Sequence, residues 1–306
     1  MKPTVALAGV LCACAWACGQ SRAAPPYPES YQRATNEFVE AAFFKPAEPK
    51  TKDIGFALAP LILQQIDAAK EPLSLAAQFG TLTMSNGASV IDQSHSAIYW
   101  EVDAVQIEGK AHARLSYLWC YSAGPHESNP AQITNNASPG GAELLSPLQG
   151  IRITLSAAGQ PAIWELLADS TKAHLFFVSQ NLEAAAMAEF VKPLPGRRYA
   201  LERSVAEAPD VVVARVIDDG PVVAGPIVYL NAGTRDVSTL ICRCMAAQAR
   251  KLLATSTYDL LPFYSVATNS LILQARSVLQ DRAAFWPGEH PVEHRLEKSL
   301  RLPQTF

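Results

Sequence analysis

The middle of the chain alternates between apolar and polar residues, which is typical of β-strands. Such alternation runs from Ile98 to Asp103 and again from Leu115 to Tyr121, on either side of the turn signal Glu108-Gly109-Lys110. Two alternating runs around a glycine turn predict a β-hairpin. The same pattern predicts a second hairpin, formed by residues 151–155 and 163–167, and three further strands at residues 175–178, 211–217 and 222–230.

Other segments combine helical spacing with residues that favour a helix start. Ser and Asn are preferred N-caps, and proline suits the first helical turn. On this basis we expect helices at Tyr31–Phe44, Asn181–Phe190, Ser238–Ala254, Ser270–Phe285 and Pro291–Leu300. A block of strands followed by a block of helices indicates an α+β fold, here a mainly antiparallel sheet of about eight strands packed against C-terminal helices.

Proline and charge divide the chain into three parts. Residues 1–18 are predicted to be a signal peptide, residues 19–53 a tether that contains a short helix, and residues 54–302 a single α+β domain. The first stretch of that domain, Ile54–Ile66, is strongly apolar but is interrupted by Pro60. Both helix and strand are compatible with that stretch.

The N-terminus has the features of an export signal. Lys2 precedes an apolar run from Val5 to Ala17, which is too short to cross a hydrocarbon core of roughly 30 Å as a helix. Cys18 follows this run and is the candidate lipid anchor of a lipoprotein, with Cys14 as a second possibility. Ordinary cleavage after a small-x-small triplet is the alternative, and a buried N-terminal helix is a third. We expect an exported protein, either a membrane-anchored lipoprotein or a periplasmic or secreted one.

Composition and charge exclude some classes of protein. The 306 residues are 49% hydrophobic and 17% charged, a composition that argues against a disordered chain. The formal net charge is −3, and no block of like charges occurs. Nucleic-acid binding requires clustered Lys and Arg, so we expect no such partner. Membrane contact is expected only through an N-terminal lipid.

Cysteines form the first candidate for chemistry. Cys242 and Cys244 flank Arg243, and two thiolates at this spacing can share copper(I) or zinc, with Cys120 or a histidine completing the set. The alternative is structural, with one of the pair bonded to Cys120 as a disulfide and the other a small buried side chain. A redox role is a weaker possibility, because the spacing is not C-x-x-C.

The segment His290-Pro291-Val292-Glu293-His294 resembles the H-x-x-E-H motif of the inverzincin metalloproteases. The resemblance covers five residues and implies that His290 and His294 bind zinc while Glu293 activates water. Pro291 departs from the family pattern, as does the absence of a long downstream region that would supply a third ligand. A capped, solvated helix is the alternative.

Aromatic residues recur on one face of the second strand of the first predicted hairpin. Tyr117, Trp119 and Tyr121 form a strip that can stack on sugar rings or on a partner protein if it is exposed, and that belongs to the core if it is not. Further along, Arg235 lies in a loop before a predicted helix, where backbone amides and a guanidinium can bind an anion.

Paired carboxylates are the last candidates. Glu101 and Asp103 share a strand face, and Asp218-Asp219 stands in a predicted turn. Acid–base chemistry needs two carboxylates in different environments, whereas solvated faces and turns need nothing further.

No nucleophile elbow, S-x-x-K, H-E-x-x-H, P-loop or dinucleotide-binding motif occurs in the chain. The leading hypothesis is therefore a non-enzymatic exported module that binds a small ligand or an envelope component. The alternative is a metal-binding protein or metal-dependent enzyme that uses Cys242-x-Cys244. A hydrolase with dispersed acidic residues is the third hypothesis.

Overall fold

Strands dominate the structure of this protein. The computed structural model describes residues 38–48, 53–67, 79–85, 88–121, 148–167, 174–220, 222–232, 235–243, 249–263 and 293–306. Strands make up 55% of this structure and helices 11%. The strands are β1 Phe38–Pro46, β2 Leu61–Gln65, β3 Phe79–Ser85, β4 Ala88–Asp92, β5 Ala97–Ile107, β6 Lys110–Tyr121, β7 Leu148–Leu155, β8 Pro161–Leu166, β9 His174–Ser179, β10 Val211–Ile217, β11 Ile227–Leu230, β12 Val237–Ile241 and β13 Ala249–Pro262. The helices are α1 Ile54–Ala57, α2 Gln180–Phe190 and α3 Glu293–Ser299.

One mixed sheet contains all of these strands. Its order is β10-β9-β8-β7-β6-β5-β13-β1-β2-β11-β12, with β3 and β4 attached beside β6. Four neighbouring pairs are parallel, namely β1 with β13, β2 with β11, β5 with β13, and β9 with β10. The two ends of the order, β10 and β12, lie beside each other, so the sheet curls into a nearly closed barrel. We call the gap between β10 and β12 the seam.

The main core fills the barrel interior. Alternate residues of each strand point inward, as period-2 alternation requires. On β6 these are Leu115, Tyr117, Trp119 and Tyr121, all at most 2% exposed. On β7 they include Ile151 and Ile153, and on β9 Leu175 and Phe177. The predicted aromatic strip is therefore part of the interior packing.

Residues 53–60 form a cap over one end of the barrel, which we call the cap segment. Its short helix α1 starts at Asp53, whose carboxylate accepts a hydrogen bond of 2.8 Å from the Phe56 amide. The Tyr117 hydroxyl donates to the Gly55 carbonyl at 2.8 Å, and the Tyr258 hydroxyl donates to the Pro60 carbonyl at 2.6 Å. Two interior tyrosines thus attach the cap segment to the barrel.

A second layer covers part of the outside of the barrel. Helix α2 starts at the N-cap Ser179, and its buried residues Leu182 and Ala186 pack with Phe176 and Val178 of β9. The C-terminal segment joins the same cluster through Leu296, Leu300 and Phe306. Within the described ranges, no helix is both long and apolar enough to cross a membrane.

The α+β prediction is wrong, because the described part of the chain is mostly β and contains only short helices. The predicted helix Ser238–Ala254 is replaced by β12 and the first part of β13. Helix propensities differ by less than about 1 kcal/mol per residue among ordinary residues, and tertiary pairing overrides them. β13 pairs with β1 over most of its length and then with β5.

The predicted helix Tyr31–Phe44 is also wrong from Phe38 onward, where β1 lies between β13 and β2. The pairing of β1 shifts register between Ala41 and Ala42. As a result Phe38 and Ala41 pack on the outer side while Ala42 and Phe44 point inward. This bulge turns a strand alternation into a spacing that resembles a helix.

Other predictions agree with the structure. Both hairpins, the strands at residues 175–178 and 211–217, the helix that ends at Phe190 and the C-terminal helix are confirmed. Of the predicted strand at residues 222–230, only Ile227–Leu230 forms. Ile54–Ile66 contains both element types, α1 and β2, separated by Pro60. Residues 1–18, with the candidate lipid anchor Cys18, and the predicted helix Ser270–Phe285 lie outside the described residues.

Candidate functional site

A cavity of about 510 Å³ opens at the seam, at the capped end of the barrel. We call it the seam cavity. It is formed by the start of β8, the end of β10 with the loop that follows, and the end of β12. Because the sheet does not close between β10 and β12, the cavity extends from the surface toward the barrel interior near the cap segment.

Most of the cavity wall is apolar. Trp164 of β8 and Ile217 of β10 line it from the barrel interior, and Ile241 lines it at the end of β12. Val222 and Pro226, in the loop before β11, complete this surface. A wall of this kind favours contact with an apolar molecule through the hydrophobic effect.

Two residues of the wall each have a buried N–H donor that lacks an acceptor. Trp164 is 6% exposed, and its indole Nε1 has no hydrogen-bond partner; the same holds for Nε of Arg243. A terminal guanidinium nitrogen of Arg243 donates to the Ala59 carbonyl in the cap segment, which fixes the side chain at the mouth of the barrel. Burial lowers the pKa of Arg243, and the nearby Tyr258 and Tyr117 oppose that shift. A buried donor without a partner costs about 1–3 kcal/mol, so an acceptor from a bound molecule would be stabilising.

Two carboxylates line the same cavity. Asp218 and Asp219, the predicted turn carboxylates, follow β10, and Oδ2 of Asp219 accepts a hydrogen bond of 2.7 Å from the backbone N–H of Asn181 in the first turn of α2. Neither carboxylate forms an ion pair with Arg243. The cavity therefore has positive and negative groups on its wall that do not neutralise each other by direct contact.

The structure does not join the predicted cysteines. Cys242 lines the seam cavity and is disulfide-bonded, whereas Cys120 is a free thiol. Cys120 is buried on the outer side of β6 beside Leu118 and Tyr99, and burial raises its pKa to about 12. The partner of Cys242 lies outside the described residues, as does Cys244.

Of the aromatic candidates, Tyr121 meets Arg235, away from the cap segment. The Tyr121 hydroxyl donates to Oε1 of Gln64 at 2.9 Å, and the Arg235 guanidinium lies 4.4 Å from the centre of the Tyr121 ring. Tyr117, Trp119 and Tyr121 are buried, so they present no stacking surface. Arg235 lies between β11 and β12. The anion-binding hypothesis requires a helix after this residue, and the structure has the strand β12 there instead.

A row of charged side chains crosses the outer face of strands β5 to β9. Arg114 pairs with Asp103, while Arg152 lies 3.3 Å from one oxygen of Glu165 and His174 lies 2.6 Å from the other. Arg152, Glu165 and His174 are all buried. Paired buried charges of this kind fix how neighbouring strands pack, and removing one partner is costly. The predicted partner of Asp103 on its strand face, Glu101, is half-buried.

Asp92, Ser94 and His95 form a surface cluster whose residue types resemble a catalytic triad. The Asp92 carboxylate accepts hydrogen bonds from both the amide and the hydroxyl of Ser94, at 2.9 Å and 2.5 Å. Ser94 and Asp92 both contact the same ring nitrogen of His95, Nδ1. A triad needs the nucleophile and the acid on opposite ring nitrogens. The cluster is an Asx turn, and the Ser94 hydrogen bonds lower the pKa of Asp92.

The described ranges contain no group of three or more His, Cys, Asp and Glu residues placed to hold a metal ion. His290 lies outside the described residues, while Glu293 and His294 belong to α3. Of the candidate residues, the structure thus brings together Asp218, Asp219, Cys242 and Arg243, at the seam cavity. Trp164 was missed, because one tryptophan in an alternating strand carries no signal beyond burial.

Comparisons of the chain with protein-family models, with characterised proteins and with solved structures find no match.

Proposed function

We propose that this protein is an exported, non-enzymatic module that binds a small ligand in the seam cavity. The observation that carries the proposal is that Trp164 and Arg243, which both line one open cavity, each have a buried N–H donor without an acceptor, Nε1 and Nε respectively. Each donor lacks the acceptor that buried polar groups normally have. A ligand with an acceptor group and an apolar body would satisfy both donors and cover the apolar wall.

The size of the cavity supports a small-molecule ligand. Sites for such ligands have volumes of roughly 300–1,000 Å³, mostly apolar walls and a few placed polar groups. The seam cavity, at about 510 Å³, has each of these features. Its position where the sheet fails to close explains why the space is not filled by core side chains.

The disulfide supports the export part of the proposal. Cys242 is oxidised, and disulfides persist in oxidising compartments such as the periplasm. Together with the apolar run from Val5 to Ala17, this favours a protein of the cell envelope, with Cys18 as the proposed lipid anchor.

The disulfide also bears on the metal-binding alternative. A thiolate is the form of cysteine that binds zinc or copper, and the Cys242 sulfur is in a disulfide. A metal site at Cys242-x-Cys244 would therefore require prior reduction. Measuring metal content per chain in protein exported to a periplasm tests this alternative directly.

Titration with anilinonaphthalene sulfonate tests the proposed function. This probe combines an apolar body with an anionic acceptor, and its fluorescence rises in an apolar site. We expect saturable binding to the folded protein, and loss of that binding in Ala224→Trp, because Ala224 lines the cavity and the indole would fill it. Ala206→Trp adds the same side chain at an exposed position on the surface and should leave binding unchanged. Equal binding to both variants at matched stability would overturn the proposal.

A further inference from the structure

The charges around the seam cavity identify the class of its ligand. The inference in this section rests on the proposed function, since it assumes that the cavity is a binding site. Its starting point is that Arg243, Asp218 and Asp219 line one cavity without forming an ion pair. Opposite charges that line one cavity and do not pair with each other can each take a partner from a ligand that occupies the cavity.

The Arg243 side of the cavity fits an anionic group. The guanidinium is held in place by its hydrogen bond to the Ala59 carbonyl, while its Nε–H and the Trp164 indole N–H remain without acceptors. A carboxylate accepts from several donors at once, and charge-assisted hydrogen bonds are roughly twice as strong as neutral ones. The half-buried position of Arg243 strengthens this attraction, because the local dielectric is lower than that of water.

The Asp218 side fits a cationic group. Asp218 makes no hydrogen bond or ion pair with the described residues, and Asp219 keeps one oxygen beyond the one that accepts from Asn181. Two adjacent carboxylates disfavour a second anionic group on the ligand and favour an ammonium. The same cavity is lined by the apolar side chains of Ile217, Ile241 and Val222.

We infer that the seam cavity selects a zwitterion with an apolar body, of the chemistry of a short apolar peptide. Its carboxylate meets Arg243 and Trp164, its ammonium meets Asp218 and Asp219, and its side chains cover the apolar wall. Neutralising either end of the ligand removes one set of charge-assisted hydrogen bonds.

Three matched ligands test the inference by calorimetric titration of the wild-type protein. The probe is the dipeptide leucyl-phenylalanine, compared with its N-acetyl form, which lacks the ammonium, and its C-terminal amide, which lacks the carboxylate. We expect the free dipeptide to bind roughly tenfold more tightly than its amide, because Arg243 is half-buried and a charge-assisted hydrogen bond is strong there. We expect it to bind roughly two- to fivefold more tightly than its N-acetyl form, because Asp218 and Asp219 are exposed and exposed ion pairs are weaker. Because only the ligand is changed, this comparison does not depend on how any variant folds.

Two variants assign the ends. Arg243→Gln should lose the preference for carboxylate over amide and keep the preference for the free amine. Asp218→Asn should do the opposite. Lys192→Gln and Asp210→Asn make the same charge changes at exposed positions and should alter neither preference.

The outcomes separate the two proposals. If anilinonaphthalene sulfonate binds and Ala224→Trp abolishes that binding, but blocked and free dipeptides bind alike or not at all, the zwitterion inference is overturned and the binding function stands. If neither the dye nor any dipeptide binds to the folded protein, the proposed function fails first and the inference fails with it.

Discussion

Gly225→Ala is the substitution that tests most sharply how the cap segment and the seam fit together. Gly225 precedes β11, lines the seam cavity, and donates its backbone N–H to the Ala57 carbonyl at 3.1 Å. A Cβ atom at this position would lie 2.2 Å from the Leu58 carbonyl oxygen and 2.5 Å from that of Ala59. Both are backbone atoms, so no side-chain rotation relieves the overlap. The cap segment must therefore shift its backbone away from residue 225.

The cost of this substitution follows from three contributions. Overpacking against a rigid neighbour lowers the free energy of unfolding by about 1–3 kcal/mol. Loss of the hydrogen bond to Ala57 adds about 1 kcal/mol, and the smaller entropy of the unfolded alanine chain offsets somewhat less than that. We expect a loss of about 2–3 kcal/mol in the free energy of unfolding, together with weaker binding of anilinonaphthalene sulfonate, because the displaced loop forms the cavity wall.

Urea unfolding of the wild type and two glycine variants measures this loss. Gly159→Ala is the matched control, since Gly159 has a φ of +74° but open space around it. The control should lose only about 1–2 kcal/mol, the cost of a left-handed backbone. A Gly225→Ala protein that is as stable as the wild type, or more stable than the control, would refute the close contact between the cap segment and the loop before β11.

Three further predictions concern buried ionisable groups. Burial raises the pKa of Tyr99 to about 12 and raises the pKa values of three further tyrosines (Tyr117, Tyr121 and Tyr258) above the usual 10. As the pH rises, the tyrosines of the unfolded chain lose their hydroxyl protons before those of the folded protein do. The free energy of unfolding is therefore full below pH 10 and falls above it by up to about 1.4 kcal/mol per pH unit for each tyrosine. Urea unfolding at graded alkaline pH measures this fall, and a flat profile between pH 10 and 12 would contradict the burial. Cys120 should resist alkylation in the folded protein and react after unfolding, while Cys242 should react only after reduction. Peptide mapping by mass spectrometry measures both reactions. Rapid labelling of Cys120 in the folded state would be inconsistent with its buried, protonated thiol. Glu165→Ala should lower the free energy of unfolding, measured in urea, by about 3–5 kcal/mol, because Arg152 stays buried without this partner. A loss of under about 1 kcal/mol would show that the row of buried charges contributes little to stability.

The hairpins were predictable because their signal is local. In β5 and β6 the alternation and the turn at Glu108-Gly109 agree, and Glu108 and Gly109 both have positive φ values. β1 lacked this agreement, since the register shift at Ala41 and Ala42 disguises its alternation. The class of fold was therefore predicted wrongly through the segments whose strand pairing depends on distant partners.

β13 is a second strand that the local sequence does not reveal, because its partners are distant in the chain. It pairs in parallel with β1, more than 200 residues away in the chain, and then with β5. A parallel partner leaves no turn signal in the sequence, and many residues between Ser238 and Ala254 are good helix formers. Local propensity favoured a helix, and long-range pairing decided for strands.

The site was predictable only in pieces. Asp218-Asp219 and Cys242-Arg243-Cys244 were singled out for separate reasons, as a turn and as a cysteine pair. The convergence of Asp218, Asp219, Cys242 and Arg243 depends on the seam between β10 and β12, which is a property of the whole sheet. Arg197 shows a similar limit, because its local sequence does not reveal that the side chain is 8% exposed and donates to backbone carbonyls of residues 203, 208 and 211.

The indole N–H resonance of Trp164 tests most directly whether the seam cavity is a binding site. Trp164→Phe assigns this resonance in a heteronuclear NMR spectrum, and Trp119, buried in the barrel interior, provides an internal control. On addition of anilinonaphthalene sulfonate we expect the Trp164 resonance to shift in a saturable way while that of Trp119 stays in place. Saturable binding of the dye that moves other resonances and leaves Trp164 unchanged would contradict a ligand site at the seam.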